Sequence, residues 1–199
     1  MNIYHDERGR FTTPYGCTAF LKMSEASQEA YICAVKSEPK ITKSLIKKGA
    51  NLIGLKKKIK SPESTLKKLR RSGKGVSELF DIVRYTHIGD AENLVSEARK
   101  ILAELKEEGH KVFRLQNSWN VPDNPYKGIN VKMVSPDGQH YEIQFHTEES
   151  FDMKENTLHR IYEEAREMEE GSPQRRELEE KMLELSRSLT VPKGVEEFC

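Results

Sequence analysis

The chain has 199 residues, of which 36% are hydrophobic and 33% charged, and its formal net charge is +1. That length suits one domain with an extension. No apolar run approaches the roughly 18 residues that a membrane-spanning helix needs, and residues 1–10 are too polar for a signal peptide. Cys17, Cys33 and Cys199 share no metal-ligand spacing, so we expect a reducing, cytoplasmic place of action and no disulfide framework.

The near-neutral total conceals two segments of opposite charge. Lys40–Lys74 contains 13 Lys or Arg residues and one acidic residue, whereas Glu148–Glu184 contains 13 Asp or Glu residues and six basic ones. A charge asymmetry of this kind predicts a surface for anionic ligands in the first segment and a solvated acidic face in the second.

The first part of the chain is predicted to be helical. Residues 1–23 lack periodicity and are expected to form a lead-in. Ser24–Lys36 predicts a helix with Ser24 as its N-cap, Pro39 is expected to break it, and a second helix follows over Ile41–Lys48. A third helix begins at Ser61 and continues to about Arg71, since serine can cap and the proline after it suits a first turn.

Strands and one strongly periodic helix are predicted in the second part. The helix begins at Asp90 and ends at Gly109, and its apolar residues keep the i, i+3, i+4, i+7 spacing. Segments rich in β-branched and aromatic residues predict four strands: Phe80–Ile88, Lys111–Leu115, Gly128–Ser135 and His140–His146. A Pro-Asp-Gly turn joins the last two into a hairpin, and charged helices follow over Phe151–Glu170 and Pro173–Leu189. This order predicts an α+β fold in which helices flank a small mixed β-sheet.

A first candidate site lies at the start of the third helix. Ser64 and Lys68 are four residues apart, so they share a helix face that points back toward Lys60. Basic groups near a helix N-terminus favour phosphate, because unpaired backbone amides add to the field. Arg71 and Lys74 in the following loop could reach the distal phosphates. The alternative is an ordinary solvated basic helix.

A second candidate site lies on the last predicted strand. Strand periodicity places Glu142, Gln144 and His146 on one face, which is unlike an ordinary half-buried strand. Asp81 stands at the start of an earlier strand, and if the two strands are neighbours, Asp81 and Glu142 could jointly hold Mg²⁺. An exposed edge strand would explain the same polar pattern.

A third candidate is the segment from Tyr126 to Asn130, where a loop enters a strand. The Tyr126 ring could stack on a base, and Asn130 could hydrogen-bond to it. A tyrosine packed against its own hairpin is an equally good reading of this segment.

Taken together, these motifs resemble the synthetase domain of the RelA/SpoT-type alarmone enzymes. That family carries R-x-K-x-x-x-S-x-x-x-K, an Asp at a strand start, Y-x-x-[IL]-H and E-[VI]-Q in this order. The matching positions here are Lys58-Ile59-Lys60 with Ser64 and Lys68, Asp81, Tyr126 to Asn130, and Glu142-Ile143-Gln144. The resemblance runs from about Lys56 to Arg166 and is nearest to the branch found in phage-associated and polymorphic-toxin proteins.

The resemblance implies a nucleotidyltransferase-like fold that transfers pyrophosphate from ATP to a ribose hydroxyl of a nucleotide acceptor, with Mg²⁺. It implies catalytic roles for Asp81, Glu142 and Gln144, with Asp81 and Glu142 also as metal ligands. Residues expected at the ATP are Lys58, Lys60, Ser64, Lys68, Arg71, Lys74 and Arg84. Residues expected at the acceptor are Tyr126, Lys127, Asn130 and His146.

The chain departs from the family pattern at four positions. Lys58 stands where the family has Arg, and Arg84 follows Asp81 by three residues rather than five. Asn130 replaces the His of the tyrosine motif, and His146 replaces an Arg after E-x-Q. Because two of these changes fall on the acceptor side, guanine nucleotides, adenine nucleotides and the 3′ end of tRNA all stay open as acceptors.

The sequence predicts a lead-in with helices over 1–50, a synthetase-like core over 51–170 and a helical extension over 171–199. The resemblance further implies a growth-inhibiting effector, secreted or phage-encoded, that acts in the cytoplasm away from membranes and has an immunity protein or antitoxin as partner. A non-catalytic nucleic-acid-binding module that kept the fold is the alternative. Another nucleotidyl or ADP-ribosyl transferase ranks last, since no NAD-binding pattern is present.

Overall fold

The computed structural model describes residues 18–198, so Cys17, Cys199 and most of the predicted lead-in lie outside the described residues. Its centre is a five-stranded mixed sheet with the spatial order β1-β2-β5-β4-β3. Strands β2 and β5 are parallel, and the other neighbouring pairs are antiparallel. The strands are β1 (Leu52–Ile53), β2 (Arg84–Gly89), β3 (Lys111–Asn117), β4 (Ile129–Val134) and β5 (His140–Thr147).

Helices flank this sheet, which confirms the predicted α+β architecture. They are α1 (Thr18–Leu21), α2 (Glu25–Lys47), α3 (Pro62–Ser72), α4 (Leu94–Glu107), α5 (Glu148–Asp152), α6 (His159–Arg166) and α7 (Pro173–Arg187). A π-helical turn, Met153–Leu158, joins α5 to α6. Over residues 18–198, no helix is both long enough and apolar enough to cross a membrane.

Helix α2 continues through Pro39, so the prediction of two separate helices is wrong. A proline in a helix interior removes one backbone hydrogen bond and costs about 3 kcal/mol. The buried side of α2 compensates, because Tyr31, Ala34, Ile41 and Leu45 all pack into the main core on both sides of the proline. Tertiary burial therefore overrides the local signal.

The predicted limits of the central elements shift by a few residues. Helix α4 has Asn93 as its N-cap rather than Asp90, because Asp90 forms a turn in which its Oδ1 accepts the Asn93 amide at 2.8 Å. Strand β2 begins at Arg84 instead of Phe80, and residues 80–82 form a bend before it. The hairpin from β4 to β5 turns through Gly138 at φ +83°, as the Pro-Asp-Gly turn predicts.

The single helix predicted over Phe151–Glu170 is instead three consecutive helical pieces, so that prediction is wrong in detail. The Thr147 hydroxyl accepts the Ser150 amide at 3.1 Å, and this cap starts α5 directly after β5. The π turn then widens the helix before α6 begins. A wider turn shifts the helical register, and such insertions are frequent at functional sites.

The two faces of the sheet differ completely. One face carries fully buried apolar and aromatic side chains, among them Tyr85, Tyr141 and Ile143, which pack with α2 and α4 in the main core. The same core contains Val195 and Phe198 from the C-terminal segment. The three-part division at residues 50 and 170 stays a prediction, although all three parts contribute to one core.

The C-terminal segment also fixes the loop between β3 and β4. The Ser186 hydroxyl of α7 donates to the Pro125 carbonyl, and the Asn117 side-chain amide donates to the Val195 carbonyl at 2.6 Å. The residue after Pro125 is Tyr126, so α7 and the chain end support the loop that carries the predicted acceptor-binding residue.

Candidate active site

The second face of the sheet is polar across three strands. Glu142 on β5 lies opposite Lys132 on β4, and Gln144 lies opposite Asn130. On the other side of β5, Glu142 is paired with Arg84 of β2. Because every second residue of a strand points to the same side, these side chains form one continuous polar surface.

A cavity of about 320 Å³ opens on this surface and brings Asp81 and Glu142 together. They meet because β2 and β5 are adjacent and parallel, and Asp81 precedes β2 by three residues. Four cationic side chains line the cavity with them, namely Lys68, Lys74, Arg114 and Lys132. Glu78 is a third carboxylate in the lining, so four cations stand against three anions. A net positive charge of this kind suits a ligand that carries phosphate groups.

Asp81 is the electrostatic centre of the cavity. Its Oδ2 lies 2.6 Å from Lys68 Nζ and 3.3 Å from Lys60 Nζ. Burial by itself raises the pKa of Asp81, but the hydrogen bond from Lys68 and the charge of Lys60 outweigh it, so that the pKa lies below its ordinary value. Asp81 is therefore an anion at neutral pH.

The local sequence explains how Lys68 reaches Asp81. Ser61 caps α3 by accepting the Ser64 amide at 3.2 Å, and the proline after Ser61 occupies the first turn. The helix ends at Gly73, whose φ of +66° is a left-handed conformation that favours glycine. Lys74, which follows Gly73, lines the cavity, whereas Arg71 is exposed at the end of α3.

Lys58 is the one residue of the basic motif that the structure ties elsewhere. Its ammonium group lies 2.9 Å from Oε1 of Glu38 on α2, a carboxylate that is only 5% exposed. The hydroxyls of Thr42 and Tyr85 also donate to this carboxylate. A contact between Lys58 and ATP would require this ion pair to open, so the predicted role of Lys58 stays a prediction.

Glu142 is hydrogen-bonded to Gln144, and Gln144 is hydrogen-bonded to a third residue, Lys154. The Gln144 side-chain amide donates to Glu142 Oε1 at 2.5 Å, and Lys154 Nζ donates to Gln144 Oε1 at 3.1 Å. Within residues 18–198, no hydrogen bond reaches the second carboxylate oxygen of Glu142, Oε2. One oxygen of Glu142 is thus held in place and the other is open to a ligand.

Tyr126 and its neighbours form a buried network at the next position along β5. The Tyr126 hydroxyl donates to Asn130 Oδ1 at 2.6 Å and lies 2.9 Å from His146 Nε2, and His146 Nδ1 lies 3.0 Å from Ser150 Oγ. Burial, followed by the charge of Lys154, lowers the pKa of His146 to about 3, so its ring is neutral. Burial also raises the pKa of Tyr126 above its ordinary value.

The four predicted acceptor-binding residues therefore occupy different environments. Asn130 lines the cavity, whereas His146 is fully buried and is linked to Asn130 by hydrogen bonds through the Tyr126 hydroxyl. The ammonium group of Lys127 donates to the backbone carbonyls of Val121 and Ser118 at 2.9 and 3.4 Å, which fixes the loop. Their contact with an acceptor stays a prediction.

Sequence reasoning missed several residues of this surface. Arg114 and Gln116 on β3 and Lys132 on β4 line the cavity, and the alternation of polar and apolar residues along both strands would have indicated them. Lys154 gave no such signal, because its position depends on the π turn.

The carboxylates fit a magnesium ion. Oδ1 of Asp81 is buried and has no hydrogen-bond partner among the described residues, and Oε2 of Glu142 is open. Within residues 18–198, no group of three or more His, Cys, Asp or Glu side chains is arranged for a metal. Mg²⁺ is commonly held by one or two carboxylates, with water and substrate phosphates as its other ligands. Two carboxylates in a cavity lined by cationic side chains therefore fit this ion.

Comparison with known proteins gives similarity in structure alone. No protein-family model matches the chain, and no curated protein matches it significantly in sequence. Among solved structures, the Type VI effector Tas1, solved in complex with its immunity protein, is similar with a TM-score of 0.60 and 21% identity, over 84% of this chain and 100% of that one.

Two further similar structures come from bacteria. A GTP pyrophosphokinase family protein from Streptococcus pneumoniae has a TM-score of 0.55 and 15% identity, over 85% of this chain and 87% of that one. Small alarmone synthetase 2 from Bacillus subtilis has a TM-score of 0.50 and 18% identity, over 65% and 70%. The resemblance seen in the motifs is thus confirmed at the level of the fold.

Proposed function

We propose that this chain, which has the fold of the alarmone synthetases, is a Mg²⁺-dependent pyrophosphokinase that moves pyrophosphate from ATP to a ribose hydroxyl of a nucleotide acceptor. The observation that carries the proposal is the cavity that Asp81 and Glu142 line together with four cationic side chains. One residue from each motif lines this cavity, namely Lys68, Asp81, Asn130 and Glu142. The fold is shared with proteins described as a GTP pyrophosphokinase family protein and an alarmone synthetase.

The chain supplies the groups that this transfer needs. Lys60 and Lys68 from the α3 motif, with Lys74 after it, would neutralise the ATP phosphates. The Ser64 hydroxyl accepts from Ser61 at 3.2 Å and would donate its own hydrogen to a phosphate oxygen. Asp81 would hold Mg²⁺, which polarises phosphoryl oxygens and offsets their charge. Glu142 would be either a second ligand or the group that activates the acceptor hydroxyl. When ATP binds, Lys60 and Lys68 would exchange part of their interaction with Asp81 for interaction with phosphate.

Glu142 is the group that we place at the attacking hydroxyl. The ribose oxygen forms a bond to the β-phosphorus of ATP, the bond from that phosphorus to the oxygen bridging toward the α-phosphate breaks, and AMP leaves. The hydroxyl proton passes to the Glu142 carboxylate. Gln144 supports this role because its amide holds Oε1 and leaves Oε2 toward the cavity. Orientation and charge neutralisation supply most of the rate in such transfers.

The acceptor side would be built on Tyr126 and Asn130. Tyr126 is partly buried, and its hydroxyl is fixed by the hydrogen bond to Asn130. The Asn130 oxygen accepts that hydroxyl, so its amide hydrogens remain for a ligand in the cavity. Stacking on Tyr126 and donation from Asn130 suit a purine nucleotide, in (p)ppGpp- or (p)ppApp-type synthesis, and the 3′-terminal adenosine of tRNA is the alternative acceptor.

The experiment that tests the proposal combines binding and turnover. We expect ATP with Mg²⁺ to bind in calorimetry and the Asp81→Ala variant to lose that binding. We expect the protein with ATP, Mg²⁺ and an acceptor to release AMP, and Glu142→Gln to bind ATP but release little AMP. Turnover that is unchanged in Glu142→Gln would overturn the assignment.

A role as a growth-inhibiting effector that acts in the cytoplasm, with an immunity protein as partner, is part of the proposal. It is supported by the likeness to an effector that is bound by its immunity protein and is covered over its whole length. Induced expression in bacterial cells is expected to stop growth, and Glu142→Gln expressed to the same level is expected to be harmless. Equal inhibition by both would assign the toxicity to something other than catalysis.

The alternative function is a non-catalytic module that binds nucleic acid through the basic segment Lys40–Lys74. Its 13 basic residues favour phosphate backbones, and such binding weakens steeply with salt. Salt-dependent binding of RNA or DNA by a protein that neither binds ATP nor releases AMP would favour this alternative.

A further inference from the structure

Lys154 is a cationic residue at the site that neither the sequence motifs nor the proposed chemistry uses. It is the second residue of the π turn Met153–Leu158, and its side chain reaches Gln144 on the polar face of the sheet. Its side chain is 19% exposed, its ammonium group lies 5.3 Å from the centre of the Phe151 ring, and it forms an ion pair with Glu155 at 2.9 Å. Burial lowers the pKa of Lys154, so its position costs desolvation free energy.

The hydrogen bonds of Lys154 determine which way the Gln144 amide points. An ammonium group only donates and a carboxylate only accepts, so Gln144 must turn Oε1 to Lys154 and its amide nitrogen to Glu142, as observed. Gln144 is 5% exposed and Glu142 is 9% exposed, so water cannot readily take over either contact. Without Lys154, only the Glu142 carboxylate would orient the amide, and the buried Gln144 Oε1 would lose its hydrogen-bond donor.

The residue at position 146 of β5 makes the positive charge of Lys154 more important. Residue 146, which carries an Arg in the family pattern, is a fully buried histidine whose two ring nitrogens contact Tyr126 and Ser150. That side chain is neutral, so β5 itself presents no positive charge beside Gln144. Lys154 supplies a positive charge from the helical segment after β5 instead. The wider π turn shifts the helical register so that its side chain reaches Gln144.

We propose that Lys154 is a positioning residue for Glu142, which acts by fixing the Gln144 amide so that one oxygen of the Glu142 carboxylate is held and the other faces the acceptor hydroxyl. The inference rests on the proposed function. It assigns Lys154 to the orientation of the reacting carboxylate rather than to the binding of ATP.

The test is a double-mutant cycle on kcat. Lys154→Met keeps the length of the side chain beside Phe151 and removes the ammonium group. We expect it to lower kcat by about 10- to 100-fold, the effect of misplacing a reacting group by roughly 1 Å, while the KM for ATP stays close to that of the wild type. Lys154→Arg, which still donates to Gln144, is expected to regain most of the rate. Lys181→Met on α7 is the control for the loss of a lysine outside the site, and it should leave kcat unchanged.

The decisive comparison uses Gln144→Leu as a second background. If Lys154 acts through Gln144, then Lys154→Met costs no further activity in that background, since groups that act as a unit are non-additive. An equal loss in both backgrounds, or a higher KM for ATP at an unchanged kcat, would overturn the inference.

Folding and turnover are controlled separately. Thermal unfolding is recorded for every variant, and if Lys154→Met does not fold, Lys154→Leu, which also removes the donor, is measured in the same two backgrounds against the same criterion. A wild-type protein that releases no AMP refutes the proposed function and this inference with it. A wild-type protein that is active, with a kcat that does not respond to Lys154→Met, refutes the inference alone.

Discussion

Gly128 is the position where adding one carbon atom should disturb the acceptor side most. A Cβ at Gly128 would lie 2.5 Å from His146 Cε1 and 2.8 Å from the Tyr126 hydroxyl oxygen, where ordinary contact begins at 3.4 Å. His146 is fully buried and has no space to retreat into. The Gly128→Ala variant must therefore move the pair formed by His146 and Tyr126 by about 1 Å, the scale at which catalysis can lose about 100-fold.

The stability cost of Gly128→Ala follows from two opposing effects. Overpacking of this kind costs about 1–3 kcal/mol, and the lower entropy of the unfolded chain returns about 0.4–1 kcal/mol. We therefore expect the free energy of unfolding to fall by about 1–2 kcal/mol in denaturant titrations. We also expect the KM for the acceptor to rise or kcat to fall, with the affinity for ATP little changed.

The matched control is Gly75→Ala, measured for stability only. A Cβ added at Gly75 would lie 3.7 and 3.8 Å from the nearest side-chain atoms, and the φ of Gly75 is −77°. This variant is expected to be as stable as the wild type or slightly more stable. If Gly128→Ala is as stable as Gly75→Ala and keeps the wild-type acceptor KM, the close contact between Gly128, His146 and Tyr126 does not position the acceptor.

Three further predictions concern charge. The folded protein keeps His146 neutral down to about pH 3, whereas the unfolded chain protonates this histidine near pH 6.5. The free energy of unfolding should therefore fall as pH is lowered from about 6.5 to 3, by up to about 1.4 kcal/mol per pH unit. His146→Gln should remove this contribution in denaturant titrations at several pH values. Lys58→Met leaves the buried carboxylate of Glu38 without its counter-ion and should lower the free energy of unfolding by about 1–3 kcal/mol. The double variant with Glu38→Gln should restore most of this loss. An ATP-binding defect without any loss of stability would instead support the role of Lys58 at ATP. Lys132→Met should raise a substrate KM by about 10- to 100-fold, the effect of losing one hydrogen bond from a charged group, and an unchanged KM for both substrates would remove Lys132 from the binding surface.

Much of the fold follows from local signals in the sequence. Helix α4 and the hairpin from β4 to β5 were predictable because each combines a clear period with a defined end. The break at Pro39 was predicted wrongly because burial on both sides of the proline outweighs the lost hydrogen bond. Strand β1 has two residues, which is too short for a sequence pattern to show it. It forms because it pairs with the edge of β2.

The individual residues of the site could be predicted from the sequence better than their arrangement in space. Asp81 and Glu142 were selected by residue type and strand position, but their meeting depends on the parallel pairing of β2 with β5, which no local pattern encodes. Lys58 matches a motif by spacing, yet the buried carboxylate of Glu38 fixes its side chain. Lys154 reaches Gln144 through a π turn, and a helical period of 3.6 residues does not predict such a turn.

The identification of the reaction product tests the central claim most directly. The protein is incubated with Mg²⁺, ATP and, separately, GDP, GTP, AMP, ADP or deacylated tRNA, and the nucleotides are resolved by chromatography. The account predicts that AMP and a pyrophosphorylated acceptor form in equal amounts with at least one acceptor, and that Glu142→Gln abolishes both. No AMP with any acceptor, or the same yield from Glu142→Gln, would contradict it.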